Sequence, residues 1–189
     1  HATSLEQVKI PSTVTSPVYF IGANAFAYSG ICEIKLPENL GYISGGTFYG
    51  CSRRKNITIP YGVYSIGDEA FYCCSSLQSI TVPSSVSTFG DRVFFSCTAL
   101  ANAVIPSSFG AIPDATFSGC SALSGMSMEA GIQLIGFRAF AGCERMEKIS
   151  IPSSVKAIRP YAFSNCSSLK EISLPPGLSY IESCSFSGC

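Results

Sequence analysis

Residues Leu77–Ala99 read LQSITVPSSVSTFGDRVFFSCTA, and the order of residue types in this stretch decides the fold. Leu77, Ile80 and Val82 alternate closely enough with polar residues to make a short strand. Pro83 ends that strand, because it has no N–H to give to a ladder. Ser84-Ser85 supplies turn chemistry, and Val86 opens a segment that runs back. Gly90 follows, with Gly67 and Gly136 at the same place in sister stretches, and predicts a position with φ > 0. Phe94 and Cys97, three residues apart, fit a short helical or 3₁₀ turn.

The stretch recurs along the chain. Prolines 37, 60, 83 and 106 step by 23 residues; Glu129 fills the next position, and Pro152 and Pro175 resume the series. Eleven residues after each comes a phenylalanine: Phe48, Phe71, Phe94, Phe117, Phe140, Phe163 and Phe186, with Phe26 playing that part in the first unit. Three residues further on comes a cysteine: Cys51, Cys74, Cys97, Cys120, Cys143, Cys166 and Cys189. Eight units fit, led by Leu5, Ile31, Arg54, Leu77, Leu100, Leu123, Met146 and Leu169. A 23-residue coil cannot bury its apolar edge alone, whereas stacked copies can. The repeat therefore predicts a mostly β solenoid of about eight coils, with one parallel sheet on the inner face and short 3₁₀ or helical turns outside. With no linker and no shift of composition, residues 1–189 read as a single domain. Two departures stand out. The first unit carries extra residues, predicting a surface bulge near 12–18. Arg54 stands where other units have a core leucine, and is expected to swing outward because a buried arginine needs a partner.

The repeated Ile151-Pro152-Ser153-Ser154-Val155, Ala162-Phe163, Cys166 and Leu169 resemble the BspA-like class of leucine-rich repeats almost letter for letter. The resemblance covers essentially all of the chain. It implies a right-handed leucine-rich-repeat coil or horseshoe, a cell-surface or secreted location, and adhesion or recognition of host or matrix proteins. It names no ligand.

Adjacent rungs lie about 5 Å apart, within reach of a disulfide's Cα spacing. Identical rungs point their Cβ atoms the same way, however, and seven ladder cysteines cannot all pair among themselves. They read as small buried thiols acting as hydrophobes. Cys32, Cys73 and Cys184 fall in other columns and are poorly placed to pair. Cys73-Cys74 admits a metal or redox reading beside the simpler one of a ladder cysteine with a neighbour.

Composition narrows function. Of 189 residues, 47% are hydrophobic and 13% charged, and twelve Lys/Arg balance twelve Asp/Glu. Disorder is excluded, and zero net charge argues against nucleic acid as a partner. No apolar run approaches membrane-spanning length. No leader is visible, although a secreted protein with its leader removed would look the same. The only histidine is His1, which excludes histidine-based triads and zinc-protease sites in the body of the fold. No phosphate-binding loop or nucleophile elbow occurs. The chain reads as non-catalytic and without a cofactor.

The candidate site is the inner strip, formed by residues flanking the second apolar position of each strand. Its members include Lys35, Asn56, Thr58, Ser79, Thr81, Asn102, Val104, Ser127, Lys148, Ser150 and Glu171. Its four middle rungs are uncharged and its ends carry both signs. Two readings stand: a shallow surface for an extended peptide or protein loop, and a solvated sheet face. No aromatic residue stands on the strip, which works against hot-spot binding. Tyr42, Tyr49, Tyr61, Tyr64 and Tyr72, with Arg53, Arg54 and Lys55, offer an alternative edge or ordinary packing between coils. Asn56 and Asn165 sit in glycosylation sequons. No polar cap is visible at either end of the stack, so head-to-tail self-association is a second possibility beside an excised piece of a longer repeat protein.

Overall fold

A computed structural model describes residues 4–10 and 19–189. The expected bulge at 12–18 lies outside the described residues, apart from its flanks. The chain is a parallel β-solenoid of about seven turns with almost no helix. The fifteen short strands among the described residues are numbered in chain order. The inner row holds β1 (Gln7–Lys9), β3 (Glu33–Lys35), β6 (Ser79–Thr81), β8 (Asn102–Ile105), β10 (Gly125–Met128), β12 (Lys148–Ser150) and β14 (Glu171–Ser173). The return row holds β2 (Phe20–Ile21), β4 (Tyr42–Ile43), β5 (Ser65–Ile66), β7 (Thr88–Phe89), β9 (Ala111–Ile112), β11 (Leu134–Ile135), β13 (Ala157–Ile158) and β15 (Tyr180–Ile181).

All pairing is parallel, and each strand meets its counterpart one coil away. The inner row is not one sheet, contrary to the sequence expectation. It is divided into β1-β3, β6-β8-β10 and β12-β14. The third coil contributes only an isolated bridge, Asn56 to Ser79. The return row, which the sequence suggested only as a reversing segment, forms two four-stranded ladders, β2-β4-β5-β7 and β9-β11-β13-β15.

The outer A-F-x-x-C segments are hydrogen-bonded turns; the one 3₁₀ element among the described residues is Ser107–Phe109, in a different part of its coil. Within an outer turn, Cys74 N–H donates to Phe71 O, and Tyr72 N–H to Glu69 O. Between turns, Glu69, Phe71 and Cys73 donate to the carbonyls of Asp91, Val93 and Phe95. This third ladder is possible because two residues of each turn, four apart, are left-handed. In successive coils they are Glu69 and Cys73, Arg92 and Ser96, and Ala115 and Gly119. The left-handed positions thus follow the glycine column rather than occupying it. Gly67, Gly90 and Gly136 are not in the positive-φ region. They are glycine because a Cβ would collide: at Gly67 it would lie 2.6 Å from Gly45 N, and at Gly90 2.4 Å from Asp68 N.

The core runs the length of the stack. Phe48, Phe71, Phe94, Phe117, Phe140 and Phe163 are fully buried, and the rings from Phe26 to Phe186 stack at centroid separations of 5.2–5.6 Å. Burying each such ring contributes roughly 1.5–3 kcal/mol. Leu77, Leu100, Leu123 and Met146 fill the leading column. Thr47 and Thr116, which stand in the alanine column, hold their hydroxyls in place by donating to Ser44 O and Pro113 O, each at 2.8 Å.

Candidate protein-binding face

Strand alternation sends Ile80, Ala103 and Ile149 inward and the residues on either side outward. Lys35, Asn56, Thr58, Ser79, Thr81, Asn102, Val104, Ser127, Lys148, Ser150 and Glu171 are all exposed. Pairing of β6, β8 and β10 brings the middle ones into two rows. Ser79 faces Asn102 and Asn102 faces Gly125; Thr81 faces Val104 and Val104 faces Ser127. The Asn102 amide lies over Gly125, where a Cβ would stand 2.2 Å from its Oδ1. Farther along, Lys148 and Glu171 stand opposite each other, as do Ser150 and Ser173. The interruption between β10 and β12 separates this part from the uncharged rows.

Arg54 corrects the sequence reading. It is buried, with 3% of its surface exposed, in the column that leucine fills elsewhere. One Nη donates to Ile34 O at 3.1 Å, and the guanidinium lies 5.8 Å from the centroid of the Phe48 ring. Its Nε and other Nη have no hydrogen-bond partner. Burial pulls its pKa below the usual arginine value.

The tyrosines do not form one edge with the basic residues. Tyr28, Tyr49, Tyr72 and Phe95 stack on the outer turns, with Tyr49 and Tyr72 4.5 Å apart and Tyr72 and Phe95 4.8 Å apart. Phe20, Tyr42 and Tyr64 form a separate file on the return row. Both files stack coil on coil, with Phe20, Tyr28 and Tyr64 still about half exposed.

All ten cysteines are free. The ladder members Cys51 to Cys166 are buried, and Cys189 in the last coil is exposed. Burial pushes the Cys120 and Cys143 thiols well above their ordinary range, and Cys166 up to about 12, so they remain protonated and unreactive. Cys73 and Cys74 diverge: Cys74 donates into the core to Phe48 O, while Cys73 is left-handed and half-buried. Among the described residues, no three His, Cys, Asp or Glu side chains gather as a metal site requires. No helix among them is long and apolar enough to cross a membrane.

Stacked parallel coils, a leucine-type core column and an exposed strand face define a leucine-rich-repeat solenoid. The BspA type leucine rich repeat region model matches residues 1–124 and 94–189, in six copies, and the chain belongs to that family. The crystal structure of a leucine-rich repeat protein from Bacteroides ovatus is similar, with 27% identity and a TM-score of 0.72 over 97% of this chain and 58% of that one. A leucine-rich repeat protein from Eubacterium ventriosum gives 27% identity and a TM-score of 0.77 over the same shares. The leucine-rich repeat protein of T. pallidum gives 25% and 0.63, over 74% of this chain and 77% of that one. The chain thus spans 58% of the length of the first two. No curated protein matches it. Repeats of this family generally mediate protein–protein interaction.

Proposed function

We propose that this chain is a non-catalytic recognition module that binds host or matrix proteins at a cell surface or in the extracellular space. The strip centred on Ser79, Asn102 and Gly125, with Thr81, Val104 and Ser127 beside them, is the contact surface. The observation that carries this reading is the pairing of β6, β8 and β10. It sets two rows of small, uncharged residues, exposed but for the half-buried Gly125, with no long side chain to hold a partner off. Such a face lets a partner's backbone approach closely, and the charged rungs outside it offer orienting contacts. Family membership supports a binding role and a surface location.

The test is binding of purified 1–189 to an array of matrix and serum proteins, beside a double variant with Asn102→Arg and Ser127→Arg. Saturable binding that the double variant loses is the expected result. If no matrix or serum protein binds, the reading fails. Growth of scattering with concentration in the same sample would favour head-to-tail self-assembly instead.

A further inference from the structure

The inner ladder stops between β3 and the third coil, where Arg54 takes up a ladder acceptor. In the register of the other coils, the carbonyl at the Ile34 position faces an N–H of the next rung at the Thr58 position. Here the Arg54 guanidinium holds Ile34 O instead, and Asn56 bridges only to Ser79 on its far side. A cleft of about 1010 Å³ opens at this place, lined by β1, β3 and the segment 53–60. Arg54 lies in its wall, 97% shielded from water, with two nitrogens unpartnered. At its rim, Lys9 and Lys35 stand directly opposite each other on β1 and β3, a like-charge pair that strand pairing disfavours. Among the described residues, Lys9, Lys35 and Lys55 form no ion pair, whereas Arg53 is paired with Glu6 at 2.8 Å. The two carboxylates in the lining are Glu33, which accepts from Gln7, and Glu38. Cations outnumber them.

We propose that this cleft receives an extended, acidic segment of a partner protein, which pairs with the unladdered edge of the third coil and sets a carboxylate against Arg54. The proposal rests on the reading of the chain as a protein-binding module and gives the chemistry of one end of its surface. Three features converge on this occupant. The unpaired edge at 55–58 offers backbone groups to a strand. Val8 and Ile34 offer apolar contact to alternate side chains. The two unpartnered, buried guanidinium nitrogens call for an anionic acceptor, which a carboxylate is. The free Arg54 nitrogens are shielded from water, so the side chain turns toward the cleft to meet the carboxylate. Its hydrogen bond to Ile34 O is the contact that this movement gives up.

The experiment pans a random peptide display library on the intact chain and measures the affinity of the enriched peptide. It then compares that peptide's counterpart, with Gln or Asn for each acid, and three protein variants. Arg54→Leu restores the leucine of the other units. Lys9→Gln with Lys35→Gln removes only exposed charge, and Asn102→Arg with Ser127→Arg blocks the middle of the strip. Enriched peptides are expected to carry a carboxylate. They should bind at least about tenfold more weakly to Arg54→Leu, and the amide counterpart should lose as much on the wild type, a difference of one decade in Kd. The lysine pair variant should weaken binding several-fold and flatten its salt dependence, whereas the strip variant should leave it unchanged. Failure to enrich any peptide, enrichment of peptides without acids, or equal affinity for Arg54→Leu would overturn the proposal. If acidic peptides fail while a matrix protein still binds through Asn102 and Ser127, the cleft proposal falls and the strip reading stands. If peptides bind and no matrix protein does, the reverse holds.

Discussion

The thiol of Cys97 donates to the carbonyl oxygen of Phe71, one coil earlier, at 3.1 Å. The same carbonyl accepts the N–H of Cys74 in its own turn at 3.2 Å. The relation repeats from Cys51 on Phe26 to Cys189 on Phe163, at 3.0–3.3 Å. Cysteine therefore suits this column for two reasons. It is small and apolar enough for the core, and it keeps a weak donor for a buried acceptor's second lone pair.

Replacing Cys97 with alanine removes both the sulfur's packing and that donor. A loss of about 1–2 kcal/mol is expected, from a lost weak hydrogen bond and a small cavity. Urea unfolding checks it, with the exposed Cys184→Ala as a control that should move the midpoint little. Denatured, non-reduced protein should titrate close to ten thiols, the number present; a count near two would show that the ladder is oxidised.

The raised thiol pKa values make stability depend on alkaline pH. A ladder cysteine keeps its proton in the folded state at a pH where the unfolded chain has begun to release it. The folded state then binds more protons, so stability falls as pH rises. The contribution is fully present below the unfolded thiol value of about 8.5 and is lost progressively above it, toward about 12 for Cys166. A fully buried ladder thiol such as Cys120 or Cys143 adds at most about 1.4 kcal/mol per pH unit to the slope in that window, and the exposed Cys189 adds less. Unfolding midpoints between neutral and strongly alkaline pH should fall steeply. Cys120→Ala and Cys143→Ala should each make the slope shallower while lowering stability at pH 7.

Arg54→Leu should stabilise the chain. It removes two buried, unpartnered nitrogens and frees Ile34 O for a continued ladder. A gain of about 1–3 kcal/mol is expected, the usual cost of buried polar groups left unmade. Thermal unfolding reads the gain, and slower amide exchange at Thr58 reads the new ladder bond. An unchanged or lowered midpoint would mean that Arg54 holds the third coil together.

Two glycines separate backbone conformation from close approach. An added Cβ meets Gly45 N at 2.6 Å at Gly67, and nothing within 4 Å at Gly22. Gly67→Ala should destabilise by about 1–3 kcal/mol, the range for an overpacked site. Gly22→Ala should be neutral or slightly stabilising through the unfolded state. Denaturant midpoints of the two variants decide this directly.

Much of the architecture is legible in the chain's 23-residue period. The spacing of Phe48, Phe71 and Phe94 gives the stacked ring column, and the series Leu77, Leu100 and Leu123 gives the leading core column, because identical positions in identical coils meet the same surroundings. The exposed strip is legible too, since residues on either side of a buried strand position must point outward. The left-handed turn residues were harder to read. Glu69, Arg92 and Arg138 carry no mark of their φ, which the cross-coil ladder imposes, whereas glycine at 67, 90 and 136 suggested a positive φ where the structure has crowding.

By itself the sequence determined the stack, because a repeated pattern of apolar, proline, phenylalanine and cysteine positions leaves only one way to bury every coil at once. Only the tertiary structure decided where that regularity breaks. Whether Arg54 turns out to water or into the core depends on the acceptor and ring that the second coil presents, Ile34 O and Phe48. Neither lies within its own unit's pattern. A repeat fixes what equivalent residues share, and the fate of the residue that departs from it is set by contacts between coils.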